Sequence, residues 1–138
     1  MSNDTPAMAE VKGGAVAYLN VDGAVKAVDF YKRAFGAELA SMMPPDKKGR
    51  TMHAHLYING SSVMLSDFYP EHGHAKVDPQ GFLIMLPTQN IDADYQRAVD
   101  AGATAKMPPA DMFWGDRYGE LVDPFGVHWA FNQGKSGK

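Results

Sequence analysis

The sequence predicts an α+β domain made of two copies of a strand–helix–three-strand unit. Three observations support this fold class: a near-repeat, two segments of helical periodicity that each end at a glycine, and one clear hairpin turn. The residues of the repeat recur 64 positions later in the same order. They are Tyr31, Arg33, Ala34, Ala37 and Met43-Pro44-Pro45, matched by Tyr95, Arg97, Ala98, Ala101 and Met107-Pro108-Pro109. Two copies of one unit predict a pseudo-twofold domain with a cleft between its halves.

The first half begins with a strand over residues 15–21, a short apolar run, and a helix follows it. Asp22 is a candidate N-cap for this helix, and Gly36 suits the left-handed position just past its end. Apolar residues recur at helical spacing between them, at Ala24, Val28, Tyr31 and Phe35. A second strand is expected over residues 38–43.

The Asn59-Gly60 pair lies between two runs of alternating residues, which is the strongest short-range signal of a β-hairpin. A two-residue turn fixes the register, so Ile58 faces Ser61 and the earlier pairs follow in step. One face then carries Ala54, Leu56, Ile58, Val63 and Leu65, and the other carries His53, His55, Tyr57, Ser62, Met64 and Ser66. We expect the first face to pack under helices and the second to line a polar cavity.

The second half repeats this order of elements. A helix is expected between Asn90, a candidate N-cap, and Gly102. Its inward-facing residues are Ile91, Tyr95, Ala98 and Val99. Residues 123–126 have the composition of a turn, with Asp and Pro at favoured positions. Strands are predicted over residues 81–86, 103–107, 116–122 and 127–132.

The chain has 138 residues, of which 45% are hydrophobic and 21% charged, and these values predict a single domain over residues 1–138. Module one is expected over about 14–67 and module two over about 80–133. The polar segments 1–13 and 134–138 are expected to be loose tails.

Composition excludes several classes of function. The net charge is −3 and no basic cluster occurs, so we expect no nucleic acid and no membrane as a partner. The absence of cysteine excludes disulfides, thiolate metal sites and cysteine nucleophiles. No signal peptide or membrane-spanning run is found, and we therefore expect a cytoplasmic protein by default.

Three stretches, residues 18–36, 53–67 and 113–132, resemble the vicinal oxygen chelate superfamily. This superfamily includes glyoxalase I, extradiol dioxygenases, fosfomycin-resistance enzymes and bleomycin-resistance proteins, and the second and third stretches are most similar to its PhnB-like branch. The resemblance implies that two paired βαβββ modules form a cupped mixed sheet around a cavity. It also implies a homodimer, because members commonly assemble in pairs and a cupped sheet leaves open edges.

The resemblance also bears on metal binding, because metal-using members place ligands on the first and last strands of each half. These places fall on Val16 and Met64 in the first half, and on Gly81 (or Gln80 in a shifted register) and Ala130 in the second. Divalent ions need His, Asp or Glu at such points. The expected cofactor is therefore none, with a divalent metal as the alternative.

The candidate ligand-binding residues come mostly from the polar face of the hairpin. His53 and His55 lie two apart on one strand, so both rings point the same way. Tyr57 and Ser66 share that face, and Tyr18 in the first strand is expected to face the same cavity. The alternatives for the two histidines are a displaced metal site and a pair of satisfied polar residues on a half-exposed face.

Two further ligand-binding candidates lie in the second half. Arg117 could clamp a carboxylate or phosphate, and a surface ion pair with Asp116 or Glu120 is an equal alternative. His128 pairs with Asp123 across the last turn if its register mirrors the first half. That position would place it near the cavity rim, or in a contact that stabilises the turn.

Together these residues and the resemblance predict a metal-free small-molecule-binding protein whose natural ligand the sequence does not name. One alternative is a metal-dependent or general acid–base lyase, isomerase or dioxygenase that uses His53, His55 or His128. The other is a ligand-free scaffold whose polar face meets a partner chain. No catalytic residue is assigned, and whether the protein catalyses a reaction stays open at this point.

Overall fold

The computed structural model describes residues 9–135, and both halves have the predicted order of one strand, one helix and three strands. The first half contains β1 (Ala17–Val21), α1 (Ala24–Phe35), β2 (Glu38–Met42), β3 (Ala54–Ile58) and β4 (Ser61–Asp67), and a short 3-10 helix (Pro70–His72) follows it. The second half contains β5 (Ile84–Pro87), α2 (Ile91–Ala101), β6 (Thr104–Asp111), β7 (Arg117–Val122) and β8 (His128–Gln133). The tail residues 1–8 and 136–138 lie outside the described part of the chain. Neither helix of that part is long and apolar enough to cross a membrane.

Each half forms one four-stranded mixed sheet with the same strand order. The orders are β1-β4-β3-β2 and β5-β8-β7-β6, with β1 parallel to β4 and β5 parallel to β8. The other neighbours are antiparallel. This architecture confirms the predicted α+β fold class with two βαβββ modules.

The β3–β4 hairpin has the register that the sequence predicts. Asn59 and Gly60 both have positive φ, at 53° and 76°, as a type I′ turn requires. Ile58 pairs with Ser61, and the next four pairs follow in step. The apolar face packs on α1 and is at most 5% exposed at Ala54, Leu56, Ile58, Val63 and Leu65.

The two halves share one core. α1 packs on α2 and also reaches the second sheet, where the centres of the Phe35 and Trp129 rings lie 4.5 Å apart. The buried Tyr31 hydroxyl donates to Asp123 Oδ2 at 2.6 Å, and Trp129 Nε1 donates to the same oxygen at 2.9 Å. These two donors stabilise the fold, because burying a carboxylate without hydrogen-bond partners would lower the free energy of unfolding. α1 therefore belongs to the core of both modules.

The repeated arginines form a reciprocal contact between the two helices. Arg33 in α1 donates to the carbonyl of Ala101, the last residue of α2, at 3.0 Å. Arg97 in α2 donates to the carbonyl of Arg33, near the end of α1, at 2.8 Å. The last carbonyls of a helix lack helical partners and carry partial negative charge, so each arginine caps the other helix.

The start of α1 differs from the prediction that Asp22 caps it. The helix follows Gly23, whose φ is 109°, and the N–H groups of Gly23 and Ala24 donate to Asp67 Oδ1 at 2.8 and 3.0 Å. The other carboxylate oxygen of Asp67 accepts from Thr51 N at 2.8 Å. Because β1 and β4 are adjacent and parallel, their ends lie together, and the cap comes from the end of β4.

Two strands of the second half differ from their predicted bounds. β5 begins at Ile84, so Gly81 lies outside it. β6 runs on to Asp111 and includes Pro108 and Pro109. Proline is tolerated there because β6 is an edge strand of its sheet, so one of its sides pairs with no other described strand.

Candidate functional site

A tyrosine–histidine pair, of which the tyrosine is exposed and the histidine half-buried, lies on the face of the first sheet opposite the apolar hairpin face. Tyr18 in β1 is 50% exposed, and its hydroxyl lies 3.0 Å from Nδ1 of His53, just before β3. The phenol can donate to this nitrogen only when Nδ1 carries no proton, which leaves the imidazole N–H on Nε2. The pair then offers a ligand an N–H donor and a phenol oxygen that can accept.

Asn20 and Ser66 extend this polar surface by one row. The parallel pairing of β1 with β4 places Asn20 beside Ser66, and Asn20 Nδ2 donates to Ser66 Oγ at 2.8 Å. We call Tyr18, Asn20, His53 and Ser66 the open polar patch, in which Ser66 is itself buried, at 7% exposure. The structure thus brings together three of the predicted ligand-binding residues, Tyr18, His53 and Ser66.

An apolar wall lies beside the open polar patch. The chain between the modules contributes Val77 and Phe82, and Phe68 follows directly after β4. Together with Tyr18 and Asn20, these side chains line a cavity of about 170 Å³. Val77 is 68% and Phe82 is 52% exposed, which is high for large apolar side chains that lie close together. The wall and the patch can therefore receive a molecule that has a polar end and an apolar body.

His55 and Ser62 lie on the same sheet face but are covered. Each is 2% exposed, and His55 Nε2 lies 2.7 Å from Ser62 Oγ. Burial, with a smaller contribution from the nearby His53, lowers the pKa of His55. His55 therefore sits beneath the surface in this conformation and does not line an open cavity.

Residues 10–12, which we call the N-terminal strap, lie against this buried pair and the neighbouring Tyr57. Ser62 N donates to the Lys12 carbonyl, and Lys12 N donates to Ser62 Oγ, both at 2.8 Å. The Tyr57 hydroxyl donates to the Glu10 carbonyl at 2.6 Å. The Lys12 ammonium nitrogen lies 4.3 Å from the centre of the Tyr57 ring. Within the segment that was expected to be a loose tail, the strap thus has defined contacts with β3 and β4.

Arg117 does not join the open polar patch. Its guanidinium contacts Asp92 in α2, with Nη2 2.9 Å from Oδ1, and Asp111 in β6, with Nη1 3.2 Å from Oδ1. Hydrogen bonds to these two carboxylates raise the pKa of Arg117. Side chains alternate along β7, so Arg117 lies on the same side of the sheet as the buried Leu121, which faces the helices. The carboxylates that hold Arg117 are thus neither of the two considered from the sequence.

His128 lies on the open face of the second sheet. It pairs with Val122, one residue away from the predicted partner Asp123, because Asp123 N donates to the carbonyl of Val127 and closes a longer turn. Nδ1 of His128 lies 3.5 Å from the Lys106 ammonium nitrogen. This contact lies within the second module, so the structure does not bring His128 to the open polar patch.

A larger groove lies between the turn of the β3–β4 hairpin and β5. Its volume is about 820 Å³, and Ala15, Asn59, Ile84, Asp94 and Asn132 are among the residues that line it. None of the predicted ligand-binding residues is among them. Several of its polar groups are already engaged: Asn59 Nδ2 donates to the Pro87 carbonyl at 2.7 Å, and Asn132 Nδ2 donates to Asp116 Oδ2 at 3.0 Å.

This fold and its two-module pattern agree with a known family. The model of the glyoxalase/bleomycin resistance protein/dioxygenase superfamily matches residues 14–131. The chain belongs to this superfamily. An uncharacterized protein of Mycobacterium bovis is 44% identical over 123 residues, which cover 84% of this chain and 80% of the relative.

Solved structures share this fold. A Pseudomonas aeruginosa protein is 28% identical, with a TM-score of 0.73 over 88% of this chain and 98% of its own. The PhnB protein of Bacillus cereus is 21% identical, with a TM-score of 0.68 over 88% of this chain and 99% of its own, and this likeness shows the fold alone.

The residues at the superfamily's metal-ligand places do not fit a divalent ion. Met64 and Ala130 themselves carry no imidazole or carboxylate. Their ladder neighbours are Tyr18 and His55 for Met64, and Met85 and Glu120 for Ala130, so each row adds a single candidate ligand. Gly81 has no side chain that could bind a metal. Within residues 9–135, no group of three or more His, Asp or Glu side chains could hold a metal ion. We therefore derive no chemistry through a metal at these places.

Proposed function

We propose that this superfamily member is a metal-free small-molecule-binding protein of the PhnB-like type, and that it binds its ligand on the open polar patch. The observation that carries the proposal is the pair of an exposed Tyr18 and a half-buried His53, which lies beside an exposed apolar wall. Binding sites combine apolar surface with a few placed polar groups in this way. The homodimer and the cytoplasmic location remain predictions.

The chemistry of the patch favours a ligand with an uncharged polar end. Its hydrogen-bonding groups are a phenol, an imidazole, an amide and a hydroxyl, and Arg117 is bound to carboxylates elsewhere. The idea from the sequence that Arg117 could clamp a carboxylate or phosphate is therefore not part of this proposal. The apolar body of the ligand would cover Val77 and Phe82.

A second candidate function is general acid–base catalysis by the same pair. A phenol hydrogen-bonded to an imidazole can pass a proton to or from a bound molecule, and the hydroxyl of Tyr18 is exposed. In this case a bound compound would be recovered chemically changed. Tyr18→Phe would then stop the conversion but spare most of the binding.

Thermal-shift screening of a metabolite-like library, followed by native mass spectrometry, tests the proposed function. Tyr18→Phe and His53→Gln should each weaken binding of any hit by about tenfold, because each removes one hydrogen bond to the ligand. Tyr118→Phe and His128→Gln change the same residue types on the open face of the second sheet, and they should leave the affinity unchanged. Equal losses in both pairs of variants, or no loss in either, would refute this site.

A further inference from the structure

The N-terminal strap is held mainly through its backbone. The Glu10 carbonyl, the Lys12 N–H and the Lys12 carbonyl each have a hydrogen-bond partner on β3 or β4. The partners are the Tyr57 hydroxyl, the Ser62 hydroxyl and the Ser62 N–H. Backbone contacts of this kind recognise an extended peptide whatever its side chains, as in proteins that bind peptides along a strand. The surface beneath the strap therefore has the chemistry of a peptide-binding site.

One side-chain contact adds selectivity to these backbone contacts. The Lys12 ammonium lies over the Tyr57 ring at 4.3 Å, within the range of a cation–π interaction. The Tyr57 ring also packs edge-on against His55, with ring centres 5.0 Å apart, so its orientation is fixed from the other direction. At the position of Lys12, the Tyr57 ring would therefore favour a residue with a positively charged side chain.

The link between the strap and β1 allows the strap to leave. Gly13 has a φ of 105°, and Gly14 has open space where a side chain would begin. β1 starts only at Ala17, so the strap is not one of the strands of the first sheet. Its departure would break the strap contacts but no pair of the sheet.

We propose that Tyr57, Ser62 and His55 form a binding site for an extended peptide with a cationic side chain, and that the strap occupies this site within the same chain. The site lies on the same sheet face as the open polar patch, but the inference does not depend on that patch binding a ligand. A peptide that arrives from outside competes with the strap, whose effective concentration is in the millimolar range.

The test uses the full chain and a fluorescent peptide with the strap's own sequence, acetyl-Glu-Val-Lys-Gly-Gly-amide. Lys12→Pro removes the N–H that bonds Ser62 and the ammonium over Tyr57, so the strap should leave the site. This variant should bind the peptide at least about tenfold more tightly than the wild-type chain does. Val11→Pro is the matched control and should bind it as the wild type does, because Val11 N–H has no partner among the described residues.

Two further comparisons keep the inference open to refutation. The double variant with Lys12→Pro and Ser62→Ala should lose the peptide, and a peptide with Glu in place of Lys should bind Lys12→Pro at least about tenfold more weakly. If both peptides bind Lys12→Pro alike, or neither binds, the inference is overturned. Hits on the open polar patch should bind Lys12→Pro and wild type equally, so failure of the proposed function would be seen separately.

Amide hydrogen exchange in the wild-type chain gives an independent result if Lys12→Pro does not fold. A saturating amount of the strap peptide should expose the Lys12 amide, because the strap is displaced. The Ser62 amide should stay protected, because the peptide carbonyl replaces that of Lys12. Unchanged exchange at both amides, or loss of protection at both, would contradict displacement at this site.

Discussion

Replacing Asp67 with alanine should cost the protein about 3 kcal/mol of unfolding free energy. The Asp67 carboxylate is 4% exposed and accepts three backbone hydrogen bonds, from Gly23, Ala24 and Thr51. Loss of the cap of α1 contributes about 1 kcal/mol, and the buried N–H of Thr51 left without a charged acceptor contributes about 2 kcal/mol. The total is a large part of the 5–15 kcal/mol that holds a typical domain together.

Urea denaturation followed by circular dichroism measures this cost, and Asp22→Ala is the matched control. Asp22 is the cap that local sequence suggests, but its side chain is 73% exposed, and within residues 9–135 its ion pair is with Lys76, at 3.5 Å. Its replacement should change the free energy of unfolding by less than about 0.5 kcal/mol. A loss below about 1 kcal/mol for Asp67→Ala, or a comparable loss for Asp22→Ala, would refute the reasoning.

Asp67 also supports the proposed site, so its replacement should weaken ligand binding there. Thr51, which it holds, donates from Oγ1 to the Met43 carbonyl at 2.7 Å and lies two residues before His53. We therefore expect Asp67→Asn to weaken ligand binding at the open polar patch even where the chain stays folded. An asparagine amide can replace one accepting oxygen but cannot accept on both sides.

Three further predictions concern His55, Tyr31 and Arg117. The pKa of buried His55 is lowered, so the folded protein keeps this ring neutral at pH values where the unfolded chain takes up a proton. The free energy of unfolding should therefore be highest above about pH 6.5 and should fall below it. Urea titrations at several pH values should show a flatter dependence for His55→Gln. Tyr31→Phe should cost about 2 kcal/mol by calorimetry because it removes a donor to buried Asp123, whereas a cost as small as that of an exposed Tyr→Phe change would contradict this. Arg117→Ala should leave the affinity of any ligand of the open polar patch unchanged in titration calorimetry. A tenfold loss of affinity would show that Arg117 contributes to that site.

The parts of the fold that depend on local chemistry could be predicted from the sequence. The Asn59-Gly60 turn fixes its own geometry through two residues with positive φ, and this geometry determines which residues of β3 and β4 pair. The cap of α1 could not be predicted in this way, because Asp67 is more than 40 positions from the amides of Gly23 and Ala24 at the start of the helix. Only the parallel pairing of β1 with β4 brings them together.

The candidate site was predictable in part for the same reason. Tyr18, His53 and Ser66 lie on one sheet face, as predicted, because strand alternation and register determine which side chains share a face. His128 was displaced because the last turn is longer than the hairpin turn, which shifts its partner from Asp123 to Val122. The strap gave no signal, since a segment held by its backbone has no characteristic side-chain pattern.

The reciprocal arginines have a consequence for the ancestry of the chain. Arg33 and Arg97 stand at equivalent positions of the two units, and each binds the carbonyl end of the opposite helix. Two separate, identical single-module proteins related by a twofold axis would make the same pair of contacts, because the one arginine of each copy would bind the helix end of the other copy. Fusion of two such genes would have kept the contact while the rest of the halves diverged. A synthetic protein with the first module's helix in both positions should therefore still bring its two halves together.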